Sequence, residues 1–296
     1  MKKLLIFTLI ISLFLISPTL AAEEVEIGTY IINIGEYEIV KGSYVVDLYL
    51  WLRWNDTDID PTNFEFMNGR AGHKELVIDE PCYKFYRIEA HLYEGANLKN
   101  YPLDSQPIKI EIEDKILTTE EIVYVVDTEE VGISPELSIL DWDLGKSSNY
   151  VKIVTYENWE EDYYRYVHEI EIIRPISAMV KVLTPLLFVA LTAWVCFFFP
   201  LNKLGEKLAV AGTALLSAVA FHIYLSDALP EIGYLTMADK FVISLYALLV
   251  FTIIGIVAVA RHLDNDNHKQ AEKTNKKYLM YSLVVPIITF LILLLI

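Results

Sequence analysis

Cysteine and basic residues are scarce in this chain. Its 296 residues include two cysteines, Cys82 and Cys196, and 24 Lys and Arg against 40 Asp and Glu, a formal net charge of −16. Cys82 lies in a polar half and Cys196 in a long apolar run, so we expect them on opposite sides of a domain boundary, without a disulfide. The lack of a CxxC or Cys/His cluster argues against structural zinc. The acidic balance argues against nucleic-acid partners, which select basic surfaces.

Catalytic motifs are absent as well. The sequence has no Gly-rich phosphate loop, no GxSxG and no HExxH. The histidines lack metal-ligand spacing, and we interpret each as a surface or packed residue. They are His73, His91, His168, His222, His262 and His268. We therefore expect a protein that is not an enzyme and uses no metal or cofactor.

The chain begins with a segment typical of a signal peptide. Lys2 and Lys3 give a positive start, Leu4–Ile16 an apolar core and Thr19–Ala22 a small-residue cleavage region. An apolar core this short favours cleavage over anchoring. Residues 1–22 are therefore predicted to be a signal peptide, and the half that follows is predicted to be exported.

Long hydrophobic segments are concentrated in the second half of the chain. They are Ile176–Pro200, Leu208–Leu225, Phe241–Ala260 and Tyr278–Ile296. Each is close to the ~20 residues that cross ~30 Å of hydrocarbon as a helix. The links after the first and third segments are rich in lysine, and basic loops stay in the cytoplasm. We expect a plasma-membrane protein with an extracellular domain at 23–174, a four-helix transmembrane domain at 175–296 and a short cytoplasmic loop at 263–277.

The first half reads as β-structure. Val45–Trp54 is rich in branched and aromatic residues, and Pro107–Glu113 and Val167–Ile172 alternate strictly between apolar and polar positions. Alternation with a period of two marks strands that bury one face. Several such strands, separated by turn residues, indicate a β-sandwich. The predicted fold class is thus a mixed two-domain membrane protein, an extracellular β-sandwich followed by a four-helix transmembrane bundle.

A more specific signal lies at Tyr101–Gln106, which reads YPLDSQ. This segment, here called the signature loop, resembles the YPFDSQ-type loop of the pentameric ligand-gated ion channels, the Cys-loop receptor superfamily. Gly205–Lys207, followed by Leu229–Pro230, resembles the GEK that opens the pore-lining helix and the leucine-proline of the next linker. The resemblance implies a homopentamer of identical subunits in a lipid bilayer, with the second span lining a pore for monovalent cations.

Departures from the family pattern point to its prokaryotic members. Ile108 stands where the eukaryotic receptors have the second cysteine of the loop, so the loop is not crosslinked. The stretch from Asp56 to Tyr101 looks shorter than usual and lacks the W-x-P segment of the agonist pocket. Whether an agonist pocket remains is left open.

The second span carries one face with a graded chemistry. Its steps of 4, 3, 4, 3 and 4 residues define a helical stripe. The stripe consists of Ala209, Thr213, Leu216, Ala220, Ile223 and Asp227, with Glu206 at its cytoplasmic end. Rings of acid select cations, and apolar rings gate by dewetting. The alternative is ordinary helix packing through small residues.

Coupling between the domains is predicted at charged contacts on their boundary. Asp104 and Glu38 are candidates to pair with Arg174, while the apolar tip Leu103 and the linker residue Pro230 are expected to meet. A shielded bidentate pair could act as a two-state element. The alternative is an exposed pair worth about 0–1 kcal/mol.

A candidate ligand site precedes the last strand. It consists of Tyr156, Trp159, Tyr163 and Tyr164, next to acidic residues. Aromatic faces bind cations, although aromatics at a strand end also serve packing. Protons are an alternative activator, since many carboxylates could titrate together, and His222 is a weaker proton-sensing candidate. The competing functions are a non-conducting receptor or sensor subunit and, less favoured, a membrane-tethered enzyme.

Overall fold

The computed structural model describes residues 22–295. The predicted signal peptide, residues 1–22, lies outside the described residues except for Ala22. The described chain consists of an N-terminal part built from strands and a C-terminal part built from helices. The strands are β1 (Glu23–Ile34), β2 (Ser43–Arg53), β3 (Phe64–Phe66), β4 (Gly69–Glu80), β5 (Tyr83–Tyr93), β6 (Ser105–Asp114), β7 (Ile122–Val126), β8 (Gly132–Ile133), β9 (Asp143–Tyr156) and β10 (Glu161–Ile173).

The strands form two packed sheets. One sheet has the order β4-β5-β2-β1-β7, with β8 paired to β1, and the other has the order β3-β6-β10-β9. Alternation explains the core, because every second residue of a strand faces the opposite sheet. In β6, Ile108, Ile110 and Ile112 are buried while Lys109 and Glu111 between them remain partly exposed. The predicted β-sandwich is confirmed.

A polar network crosses the interior of this sandwich. His168 on β10 is fully buried, with Nδ1 2.7 Å from Thr29 Oγ1 and Nε2 3.0 Å from Ser147 Oγ. Tyr166 donates its hydroxyl hydrogen to Asn149 and lies 2.8 Å from Thr29 Oγ1. Thr29 therefore donates to Tyr166 and accepts from His168, which places the imidazole hydrogen on Nδ1. Burial lowers the pKa of His168 from 6.5 to about 4, so the ring is neutral at pH 7.

The C-terminal part consists of helices, which make four candidate membrane spans in the described chain. They are α1 (Ile176–Val195), which continues as a 3₁₀ turn (Cys196–Phe198), α2 (Leu204–Asp227), α3 (Met237–Asp264), α4 (His268–Ser282) and α5 (Val285–Leu293). Helices α4 and α5 together make the fourth candidate span. The predicted four-helix arrangement is confirmed, and the two cysteines are free thiols in different parts of the chain.

The predicted loop at 263–277 requires correction. Helix α3 continues to Asp264 and α4 begins at His268, which leaves only Asn265–Asn267 as a connection. The segment is polar but helical, since Asn267 caps the backbone N–H of Gln270 and Glu272 pairs with Lys276 one turn later. The fourth span is interrupted instead before Pro286, which has no N–H to continue a helix.

Candidate pore and domain interface

Helix α2 has one buried and one uncovered face. The buried face packs against α1 and α3 and consists of Lys207, Ala211, Ala214, Ala218 and Leu225. All seven residues of the predicted stripe, from Glu206 to Asp227, are exposed in the protomer. The large apolar members are the most informative, because Leu216 is 72% and Ile223 58% exposed. The stripe is thus free to face other subunits or water.

The hydroxyl on the stripe is oriented by its own helix. Thr213 donates its hydrogen to the carbonyl of Ala209 at 2.9 Å. The oxygen lone pairs of Thr213 therefore remain available on the exposed face. An array of such oxygens presents acceptors, the groups that replace part of a cation's hydration shell.

The N-terminal end of α2 holds one carboxylate outward and one amine inward. Glu206 lies 2.5 Å from Lys203, and both side chains are about half exposed (54% and 50%). Lys207 is 1% exposed and its Nζ lies 3.4 Å from Asn275 Oδ1, inside the bundle. A positive charge adjacent to Glu206 in sequence is therefore kept off the stripe.

The boundary between the two parts contains a buried ion pair. Arg174 Nε lies 2.6 Å from Asp104 Oδ1, and Nη2 lies 3.1 Å from Oδ2, with side-chain exposures of 13% and 1%. The guanidinium also lies over the rings of Trp142 (4.3 Å) and Tyr101 (4.9 Å). Gln106 donates a further hydrogen bond to Asp104. This is the shielded, bidentate form of the predicted pair.

Glu38 does not join this pair. Its carboxylate lies 2.6 Å from Lys41, one turn of chain away, and the glutamate side chain is 49% exposed. The backbone of Glu38 begins a tight turn in which Gly42 donates to its carbonyl. The turn directs the side chain to its neighbour Lys41, so the proposed Glu38–Arg174 contact is wrong.

The signature loop and the residues just before it meet the helices through backbone hydrogen bonds, and the Tyr101 side chain also packs against the helices. The N–H groups of Met237 and Ala238, the first of α3, donate to the carbonyls of Lys99 and Tyr101. The next free N–H, of Asp239, donates to the side chain of Thr236 in a capping box. All early N–H groups of α3, which no residue within a helix can satisfy, thus have partners. Leu103, predicted to make the contact, is 48% exposed.

A cavity of about 470 Å³ lies beside the α2–α3 linker, residues 228–236, and is lined by Pro230 and Glu231. His222 of α2 reaches into it, with Nδ1 3.1 Å from Tyr246 Oη and Nε2 3.5 Å from Asp239 Oδ1. The other oxygen of Asp239 accepts from the backbone N–H of Thr236. His222 therefore connects the C-terminal end of α2 with the capped start of α3.

Three of the four predicted ligand-site aromatics are grouped. Tyr156 lies 5.4 Å from Trp159 and 5.7 Å from Tyr163 between ring centroids, and Trp159 is 68% exposed. Tyr164 packs instead against the sandwich core, because adjacent residues of β10 point to opposite faces. Tyr164 is therefore removed from the group.

The sequence reasoning missed a charged network below these aromatics. Arg165 lies 2.5 Å from Glu113 and 2.8 Å from Glu111, and Tyr156 donates to Glu113. The strict alternation of β6 was a usable signal, since it places Glu111 and Glu113 on one face. The network fixes the Tyr156 ring from beneath. Among residues 22–295, no group of three His, Cys, Asp or Glu side chains could hold a metal ion.

Comparisons with known proteins agree with this architecture. Residues 182–288 match the family model described as the neurotransmitter-gated ion-channel transmembrane region. The chain is 22% identical to a proton-gated ion channel of Gloeobacter violaceus, over 82% of its own length. It is 18% identical to the mouse gamma-aminobutyric acid receptor subunit theta over 87% of its own length. It is 21% identical to the Drosophila pH-sensitive chloride channel 2 over 68% of its own length. It spans 74% of the first relative but only 46% and 40% of the other two.

These matches confirm the resemblance recognised from the signature loop and the GEK segment. The chain is related to the prokaryotic pentameric ligand-gated ion channels and, like them, has no disulfide across that loop. It is a multi-pass membrane protein and not an enzyme.

Proposed function

We propose that this chain forms a homopentameric, cation-selective channel of the plasma membrane, gated by a ligand or by protons, with α2 lining the pore. The main support for this proposal is that the whole graded stripe of α2 is exposed in the protomer, while the opposite face of the helix is buried. A helix with Leu216 and Ile223 exposed needs either lipid, a neighbouring subunit or an aqueous axis to face. Acidic residues at both ends of the stripe favour the aqueous axis.

The stripe then divides the pore into zones. Leu216 and Ile223 form apolar constrictions that close by dewetting, and Thr213 offers hydroxyl oxygens to a passing ion. Glu206 and Asp227 raise the local concentration of cations at the two mouths. The sandwich, 23–174, lies outside the cell, and the lysine-rich end of the bundle lies in the cytoplasm.

Reversal potentials across bilayers containing the purified protein test the selectivity. Under a tenfold gradient of KCl, ideal cation selectivity gives about 59 mV. Glu206→Gln should move the potential toward zero, whereas the matched variant Lys203→Gln, which removes the amine that partly neutralises Glu206, should hold or increase it. An unchanged potential in Glu206→Gln would remove this residue from the selectivity filter.

Two observations bear on the activator. Two of the relatives are named for a response to protons or pH, and the exposed Trp159 with Tyr156 and Tyr163 offers aromatic faces to a cationic ligand. Liposome flux measured from pH 8 to pH 4, and at pH 7 with a panel of amines, separates the two. The relatives do not identify the permeant ion, because one of them is named as a chloride channel.

The alternative is a non-conducting receptor subunit that binds a ligand in the sandwich. The same uncovered stripe would then pack against neighbouring subunits along a dry axis. Cysteine labelling distinguishes the two arrangements: Thr213→Cys and Leu216→Cys react with a water-soluble thiol reagent only if water reaches the stripe. Single-channel currents would directly contradict the alternative.

A further inference from the structure

Helix α2 begins with a buried lysine that makes one polar side-chain contact within residues 22–295. Lys207, the fourth residue of α2, is 1% exposed, and its Nζ lies 3.4 Å from Asn275 Oδ1 on α4. An ammonium group carries three N–H donors, so one acceptor satisfies it only in part. A buried charge with few partners is unfavourable. The Lys207 side chain is therefore held inside the bundle by a single anchor.

The anchor, Asn275, is itself fixed by a second hydrogen bond. Its Nδ2 donates to the backbone carbonyl of Phe197 at 2.8 Å, at the end of the first span. A carbonyl can only accept and an ammonium can only donate, so a single orientation of the amide serves both partners. The amide nitrogen faces Phe197 and the amide oxygen faces Lys207. Asn275 thus joins the first, second and fourth spans at one point.

The packing of α4 keeps Asn275 directed into the bundle. Ala271, one turn earlier on the same face, is fully buried. Tyr278, three residues later, lies against Phe251 of α3, with the ring centroids 4.9 Å apart. Asn275 lies between these two contacts along the helix, so its side chain has little freedom to leave Lys207.

Lys207 would leave the bundle readily without this anchor. It lies at the N-terminal end of α2, where the positive pole of the helix dipole disfavours a cation. Long lysine side chains near the ends of membrane helices also extend toward water. Glu206, the next residue, already lies 2.5 Å from Lys203. A second ammonium beside this pair would make the end of the stripe net positive.

We propose that Asn275 is a positioning residue for ion selection, which retains the Lys207 ammonium inside the bundle and so keeps a second amine away from Glu206. Asn275 is 68 residues from Lys207 along the chain and acts on the permeating ion through it. The effect on selectivity rests on the proposed function, whereas the retention of Lys207 does not.

Amine labelling of the purified full-length protein in detergent tests the retention without any current. A water-soluble amine-reactive ester modifies accessible lysines, and mass spectrometry compares Lys207, protected in the wild type, with the half-exposed Lys203. Asn275→Leu, which keeps the branched shape but has no acceptor, should raise the labelling rate of Lys207 about tenfold, as expected for one hydrogen bond to a charged group. Asn275→Asp keeps the acceptor and should leave Lys207 protected. Gln270→Leu, at an exposed position of α4, is the matched control and should change nothing.

Reversal potentials in bilayers test the consequence for selectivity. Asn275→Leu should lower the ratio of K⁺ to Cl⁻ permeability about fivefold, the effect of one unit charge across about 4 Å of water. The same substitution in a Lys207→Met background should change nothing, because no ammonium remains to be released. If the leucine variant does not elute as the wild-type oligomer, Asn275→Ala, which removes the amide without adding bulk, takes its place in both measurements.

Unchanged labelling of Lys207 in the Asn275 variant would overturn the proposal, whether or not the protein conducts. Increased labelling with an unchanged permeability ratio would overturn the role in ion selection. So would a fall in the ratio that persists in the Lys207→Met background, because the effect would then come from packing. A wild-type protein that passes no current would contradict the proposed function, and the labelling would still show whether Asn275 retains Lys207.

Discussion

The buried histidine of the sandwich should make that domain less stable in mild acid. His168 has a pKa of about 4 in the folded protein and about 6.5 when unfolded. Between these values the unfolded state binds more protons than the folded state, so stability is present above pH 6.5 and is lost as the pH falls. Linkage gives a loss of about 2 kcal/mol between pH 8 and pH 5.

Hydrogen exchange in the full-length protein can measure this loss locally. Peptides covering β10 report the free energy of opening of the sandwich, and exchange must be corrected for its intrinsic dependence on pH. A loss of about 2 kcal/mol corresponds to a protection factor about thirtyfold lower at pH 5 than at pH 8. Peptides from α3 serve as an internal reference.

Two variants separate this histidine from the other titrating groups. His168→Gln keeps a polar side chain but cannot titrate, so the protection of β10 should become nearly independent of pH in this range, although it is lower overall. His73→Gln, at an exposed position of β4, should behave as the wild type. If His168→Gln loses protection in acid as steeply as the wild type, the linkage to His168 is refuted.

Three further changes test other parts of the structure. Asp104→Asn leaves the Arg174 guanidinium without its buried carboxylate, a change that costs about 3–5 kcal/mol of stability in comparable pairs. The activation curve should shift, while the oligomer should still elute at its normal size. The control Glu38→Gln, at an exposed position, should leave the activation curve unchanged. Thr236→Val removes the capping box of α3 and should speed exchange at Met237–Asp239 by the equivalent of about 1 kcal/mol, with Thr236→Ser restoring it. Gly28→Ala places a methyl group against the Trp51 ring at a distance too short for a normal contact. This variant should destabilise the sandwich by about 1–3 kcal/mol, as measured by thermal unfolding. The control Gly132→Ala, whose added methyl group would lie 3.5 Å from the Tyr30 ring, should not.

Much of this architecture was readable from residue types. The alternation in β6 and β10 gave the buried faces of the sandwich, and the length of the apolar segments gave the four spans. The stripe of α2 followed from the 3.6-residue period, and the structure leaves all its members uncovered. These features share a cause, because each depends on which side chains repeat along one element.

Contacts made by the backbone cannot be predicted from residue types. The carbonyls of Lys99 and Tyr101 cap α3 whatever their side chains are, so no residue pattern announced them. The polar composition of α4 indicates a loop or an exposed helix equally well, because Lys and Glu suit both. The predicted loop at 263–277 was wrong for this reason. The predicted contact of Glu38 with Arg174 is wrong for a different reason. Lys41, three residues away, is an alternative partner, and only the geometry of the turn selects it.

The carbonyl cap on α3 bears on how such a protein can be recombined with others. In a chimera that joins these helices to a foreign sandwich, the cap itself does not depend on the identities at positions 99 and 101, because any amino acid supplies a peptide oxygen; the Tyr101 ring matters separately, through its contacts with Arg174 and the helices. It must preserve the length and path of the segment, since two oxygens have to reach the two N–H groups of Met237 and Ala238. The cap should therefore survive substitution at these positions but fail on a one-residue insertion, and the helices expressed alone should begin to fray at Met237.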